Sequence, residues 1–212
     1  MNLVEYPDRE LMMFSLADTL AADLNLALRQ NDRASFCVPG GTTPGPVFDV
    51  LSGVKLDWGR VTVFLNDERW VPETSDRSNG RLLRSRLLKG EAAAAQFVPL
   101  YADAPEPEAA IANLTAAIAP NLPISVLLLG MGADMHTASL FPGADRLAEA
   151  LAPDAPVLVP MRAPGAGEPR VTLSAPAVPS ISRAKEITCS GMPKRRAISM
   201  AWEWPGSPLI RR

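Results

Sequence analysis

Histidine is almost missing from this chain, which has one, His136, in 212 residues. Any imidazole acid–base chemistry near neutral pH must therefore use that residue. Cysteine is nearly as scarce: Cys37 and Cys189 lie far apart and neither belongs to a CxxC pair. One histidine and two distant cysteines do not supply zinc-ligand spacing, so no metal is expected and the thiols should be reduced and structural. There is no GxSxG elbow, which disfavours covalent serine catalysis even though Ser139 stands three residues beyond His136. No glycine-rich loop carries the lysine of a nucleotide-binding P-loop, and Gly130, Gly132 and Met135 imitate a dinucleotide fingerprint without its third glycine. ATP and NAD are both disfavoured. Nor is there an excess of charge: a formal net charge of −2 and a pI near 5.5 offer no positive field to nucleic acid or an anionic membrane. The opening MNLVEYPDRE lacks the basic start and apolar core of a secretory signal, and no run approaches the roughly 18 apolar residues of a membrane span. A soluble, cytoplasmic protein is expected.

What is present is apolar content, 47% of residues, enough for the core of one α/β domain spanning residues 1–212. Between Asp8 and Gln30, Ala17, Leu20, Ala21, Leu24, Ala27 and Leu28 follow helical spacing and predict an amphipathic helix. Ala34–Val38, Val61–Leu65 and Ile124–Leu129 are short continuous apolar runs, as expected of strands covered on both faces in a parallel sheet. Helical spacing returns at Leu82, Leu83 and Leu87, and at Ala110, Ile111, Leu114, Ala117 and Ile118. The alternation predicts a doubly wound α/β fold with a mainly parallel sheet flanked by helices. The proline-rich stretch Pro153–Pro179 predicts turns and extended segments rather than long helices.

Each predicted strand runs straight into an unusual loop: PGGTTPG, NDERW and GMGADMH. Ligands of open parallel sheets bind at the carboxyl ends of strands, which makes Gly40, Gly41, Thr42, Thr43, Asp67, Glu68, Arg69 and His136 expected neighbours. The glycines of the first loop permit close backbone approach to a phosphate, and Thr42 or Thr43 reads equally as a plain helix cap. In the second loop, Arg69 can offer a planar fork to a phosphate or oxyanion while Asp67 or Glu68 orients it; the bland alternative is a solvated charge cluster. Ser78 and Asn79 read as the cap of the next helix.

Taken together, GGTTP at 40–44, DERWVP at 67–72, Ser78–Asn79, LGMGADMHTASLFPG ending at Gly143, RVTLSAP at 170–176 and GMPKR at 191–195 resemble the ordered motifs of the 6-phosphogluconolactonase family, within the glucosamine-6-phosphate isomerase/6-phosphogluconolactonase superfamily. The resemblance implies a modified Rossmann-type fold and hydrolysis of 6-phospho-D-glucono-1,5-lactone to 6-phospho-D-gluconate in the oxidative pentose phosphate pathway, without metal, nucleotide or other cofactor. It implies His136 as the base that activates water. Arg69, Arg170 and Lys194 become the cations of the pocket, and Asp67 joins His136 and Arg69 among the catalytic residues. Gly40, Gly41, Thr42, Thr43, Asn79, Gly130, Gly132 and Asp134 become part of the substrate and phosphate site. Arg69 or the N–H groups around Gly130–Gly132 can stabilise the tetrahedral oxyanion, while Arg170 and Lys194 hold the phosphate.

The chain departs from the family pattern twice. Met135 stands where the family has a glycine between aspartate and histidine; if that glycine has positive φ, methionine there costs about 1–2 kcal/mol and brings a flexible side chain near the pocket. Relatives also continue past the position of Arg212 into another strand, so the sheet is expected to lack that strand or to cover the edge differently. Two alternative functions follow. A glucosamine-6-phosphate isomerase or deaminase would continue the histidine motif as IAFNEPG, whereas this chain reads TASLFPG. A non-catalytic sugar-phosphate sensor would keep phosphate binding and lose hydrolysis.

Overall fold

The computed structural model describes residues 3–178, 184–188 and 197–200. The first helix, α1 (Arg9–Gln30), begins where the sequence predicts because Asp8, in extended conformation, accepts the Leu11 N–H at 2.8 Å. Its side chains Met12, Leu16, Leu20 and Leu24 recur every fourth residue and are buried. No continuous apolar run of membrane-spanning length occurs in α1, although the helix is long and apolar enough on average to cross a membrane by length and composition. Its apolar face is instead spent in the protein core, in a cluster shared with Phe36, Phe48 and Leu127.

Strands β2 (Ala34–Val38) and β3 (Val61–Leu65) have the predicted bounds, and every residue in both is buried. Their pairing is parallel. The third predicted strand is displaced: β6 runs Val126–Met131 instead of starting at Ile124. Ser35 and Ser125 explain the late start, since each hydroxyl accepts the other's backbone N–H, at 3.1 and 2.9 Å, in place of ladder bonds.

Among the described residues the main sheet has the order β1-β10-β9-β6-β2-β3-β5, with β1 at Leu3–Tyr6, β5 at Gln96–Val98, β9 at Ala184–Thr188 and β10 at Ala197–Met200. The block from β9 to β5 is parallel, and β10 and β1 extend it antiparallel. From β2 the chain builds outward through β3 to β5, then returns to β6 on the other flank of β2. The order reverses between β2 and β6, and such a switch point opens a crevice beyond the strand ends. Helices α2 (Gly45–Leu51), α3 (Asn79–Arg86), α4 (Ile111–Ile118) and α5 (Leu147–Leu151) lie between strands in the chain, as the alternation predicts.

A second sheet was not foreseen. The NDERW segment is not only a loop: β4 (Asp67–Arg69) pairs antiparallel with β8 (Arg170–Leu173), which pairs with β7 (Leu158–Met161). The two longer strands account for the extended reading of the proline-rich stretch. This sheet stands beside the crevice and presents its own side chains to it.

Candidate active site

A cleft with a cavity volume of about 190 Å³ lies at the switch point, lined by the three strand ends and the small sheet. Gly40, Gly41 and Thr43 follow β2, Asp67 and Arg69 follow β3, and Gly130, Gly132 and His136 come from the end of β6. Asn79 and Arg170 complete the set of predicted residues that border it. Thr42 is exposed and outside the lining; neither threonine caps α2, whose cap is Pro44 without a side-chain bond. Lys194 and Cys189 lie outside the described residues. Asn66, Pro39, Pro44, Met131 and Ala138 also line the cleft and were not singled out from sequence. Asn66 had a readable signal, as a polar residue ending an apolar strand.

Strand alternation decides which charges enter the cleft. In β4, Asp67 and Arg69 share one face, while Glu68 points the other way. Across the ladder Arg69 is in register with Arg170, and Asp67 with Thr172. Two like charges directly opposite on neighbouring strands repel unless an anion lies between them. Asp67 partly supplies it: its Oδ2 lies 3.4 Å from the Arg170 guanidinium and accepts the Ser139 hydroxyl at 2.5 Å. Burial and the neighbouring Arg69 charge pull the Arg170 guanidinium below its usual range, against the opposing pull of Asp67.

The expected carboxylate partner of Arg69 is corrected by these contacts. Its guanidinium donates to the Arg77 carbonyl at 2.6 Å and to Asn79 Oδ1 at 3.0 Å, and neither Asp67 nor Glu68 holds it. Glu68 instead accepts the N–H groups of Arg69, Asn79 and Gly80 at 2.7, 2.8 and 2.7 Å and the Ser78 hydroxyl at 3.2 Å. Ser78 is the α3 cap, as read from sequence. Asn79 packs so closely on the first loop that a Cβ on Gly40 would lie 2.0 Å from its side chain, which explains that glycine. Arg69 and Arg170 each retain a buried Nε–H without an acceptor among the described residues.

His136 sits on a strained loop. The Gly132 N–H donates to the His136 carbonyl at 2.9 Å and the Met135 N–H to the Gly132 carbonyl at 2.9 Å, folding residues 132–136 into a tight turn. The Gly132 N–H is thereby occupied, so the expected oxyanion donor at that position is not free. Met135 has φ 66° and Ala138 φ 50°, left-handed conformations that cost non-glycine residues energy. The anticipated positive φ at Met135 is present, but the residue is 75% exposed and does not line the cleft. Met135→Gly should therefore raise stability by about 0.5–1 kcal/mol, the relieved strain less the added freedom of the unfolded chain, seen as a small rise in melting temperature.

Asp134 is exposed and outside the cleft lining, yet its Oδ1 lies 2.5 Å from His136 Nδ1. That hydrogen bond holds the Asp134 carboxyl below its usual range. An ionised carboxylate so close to Nδ1 places the ring proton there and leaves Nε2 as the acceptor. Ser139, in contrast, is fully buried and committed to Asp67, with its N–H donated to Thr172 Oγ1 at 3.1 Å. It ties the histidine loop to the small sheet and is not placed as a nucleophile. Cys37 is a buried free thiol, pushed well up by burial and by the Asp67 charge, and is chemically quiet at neutral pH.

Comparison with known proteins agrees with this architecture. The family described as glucosamine-6-phosphate isomerases/6-phosphogluconolactonase matches residues 7–209. A 6-phosphogluconolactonase of Rhizobium meliloti is 48% identical over 176 residues, covering 82% of this chain and 75% of that one. One from Mesorhizobium japonicum is 45% identical over 175 residues, covering 82% and 74%. The crystal structure of a 6-phosphogluconolactonase from Shewanella baltica superposes with a TM-score of 0.81 at 34% identity, covering 84% of this chain and 77% of that one. With the motifs in order, the switch-point cleft in place and the family match running through nearly the whole sequence, the chain belongs to the glucosamine-6-phosphate isomerase/6-phosphogluconolactonase family.

Proposed function

We propose that this chain is a 6-phosphogluconolactonase, hydrolysing 6-phospho-D-glucono-1,5-lactone to 6-phospho-D-gluconate in the oxidative pentose phosphate pathway, with His136 as the general base. The lactonase activity is that of relatives 48% and 45% identical over most of the chain. One observation carries the mechanism: the sole imidazole of the chain borders the same cleft as the in-register pair Arg69 and Arg170. The Asp134 carboxylate keeps the proton on Nδ1, so Nε2 takes a proton from water as the water oxygen attacks the lactone carbonyl. The carbonyl π electrons move to oxygen, giving a tetrahedral oxyanion. When that intermediate collapses, the ring C–O bond breaks and the imidazolium returns the proton to the departing ring oxygen.

Arg69 is the oxyanion donor in this scheme, since Asn79 and the Arg77 carbonyl fix its guanidinium at the cleft wall. A donor of that kind is typically worth about 3–4 kcal/mol in the transition state. Arg170 holds the phosphate together with the glycines and Thr43 of the first loop, and Lys194 is assigned to the same role. Asp67 acts by holding Arg170 and, through Ser139, the histidine loop. Under this reading the enzyme works in the cytoplasm, on a small phosphorylated sugar lactone, and needs no cofactor.

The experiment is a continuous assay with freshly generated phosphorylated lactone, corrected for spontaneous opening, run beside a binding titration with 6-phosphogluconate. Catalysed ring opening is expected. Binding without any rate enhancement would select the sugar-phosphate sensor instead, and release of ammonia from glucosamine 6-phosphate would select the deaminase.

A further inference from the structure

Phe141 belongs to neither apolar core. Its neighbours Leu140 and Ala144 pack on the small cluster of Ala150, Val159 and Met161, but the Phe141 ring is half-buried outside both clusters. It meets the active site instead. Its ring centroid lies 4.2 Å from that of His136 with the planes 35° apart, and 5.1 Å from the Arg170 guanidinium carbon. The imidazole is also pressed onto backbone, for a Cβ on Gly132 would fall 2.4 Å from its Cε1 and Nδ1.

Among the described residues, the imidazole ring is held, besides Phe141, by its packing on Gly132 and by one side-chain hydrogen bond. Its Nδ1 bond runs to Asp134, a side chain 53% exposed and only two residues away, on a loop containing two left-handed residues. One hydrogen bond to an exposed partner acts as a swivel, and the terminal torsion of histidine has a broad, soft profile. A base must be aimed within a few tenths of an ångström to take its proton efficiently. An aromatic face against the ring defines the imidazole plane, and ring pairs of this kind favour offset or tilted geometries at such separations. The guanidinium on the same phenyl ring links that plane to the arm assigned to the phosphate.

We propose that Phe141 is a positioning residue for the reaction, its ring fixing the plane of the His136 imidazole against Gly132 and keeping it in register with Arg170. The proposal rests on His136 being the base. Phe141→Leu should lower kcat about tenfold with KM changed less than about twofold, because aim is lost while phosphate binding persists. Phe141→Tyr, which keeps the aromatic face, should restore at least about half of wild-type kcat. A merely structural role would not produce this split or the rescue.

The test is a double-mutant cycle in the lactonase assay, with the imidazole signals followed by NMR; these need no assignment strategy because the chain has one histidine. If Phe141 acts through His136, Phe141→Leu should have no further effect in a His136→Ala background, and in the wild-type background it should move the imidazole carbon-bound protons toward their free-peptide positions. An equal loss in both backgrounds, or kcat for Phe141→Leu within about twofold of wild type, overturns the proposal and leaves the base assignment standing. A His136→Ala variant at wild-type rate overturns the base assignment itself, and this inference with it.

Discussion

His136→Ala is expected to lower the catalysed rate of lactone opening by about 10²–10⁴-fold, the usual contribution of a positioned general base. The loss should appear almost wholly in kcat. Arg69 and Arg170 are held by contacts that do not involve the imidazole, so ground-state binding of the phosphorylated substrate should survive. No second histidine exists to substitute, which makes this variant a cleaner test than in most enzymes. Asp134→Asn should give a smaller fall in the same parameter: the amide keeps much of the geometry but stops enforcing the tautomer that frees Nε2. Rates must be read against spontaneous hydrolysis of the lactone. An alanine variant with an undiminished excess over that background would remove His136 from the mechanism.

The parts of this architecture that could be read from sequence are those governed by local, continuous patterns. Buried parallel strands show themselves as unbroken apolar runs, and both β2 and β3 end where Pro39 and Asn66 interrupt the run. The rule that loops at strand ends converge brings Gly40, Asp67, Arg69 and His136 together from the sequence alone. The small sheet was hidden for the opposite reason. A three-residue strand spelled Asp-Glu-Arg has the composition of a loop, and its partner β8 lies about a hundred residues later, so the pairing leaves no local trace. Missing that strand also hid its two-residue period, and with it the different directions of Asp67 and Glu68. Phe141 carries no distinguishing signal in the sequence, because a lone phenylalanine normally signals core. The strain at Met135 could be anticipated only by comparison with the family motif, since composition carries no φ angle.

The direction of Glu68 leads to the largest expected effect on stability. Glu68→Ala would strand the N–H groups of Asn79 and Gly80 and remove an acceptor from the Ser78 hydroxyl at the start of α3, and would strand the Arg69 N–H in β4. Each buried donor left unpaired costs about 1–3 kcal/mol, and water entering the space recovers part, so the net loss should be roughly 3–5 kcal/mol. For a chain of this size that corresponds to a fall of about 10 °C or more in melting temperature. Glutamine is not a conservative replacement: Glu68 receives only donors, and an amide NH₂ would face some of them. Burial pushes the Glu68 carboxyl above its ordinary range, although three backbone hydrogen bonds pull the other way. A raised carboxyl binds its proton more tightly in the folded state, so this contribution to stability is fully present below the unfolded value and declines as pH rises through the folded one. The stability gap between wild type and Glu68→Gln should accordingly widen as pH is lowered from neutrality toward about 4.5, because the glutamine does not titrate and the other carboxylates are common to both. Urea melts at several pH values measure that gap. A gap that narrows on acidification would mean the backbone hydrogen bonds outweigh burial, and an alanine variant as stable as wild type would show that Glu68 does not hold α3. Because α3 begins with Asn79, which grips Arg69, any variant that loosens this helix should also lose kcat/KM before it unfolds.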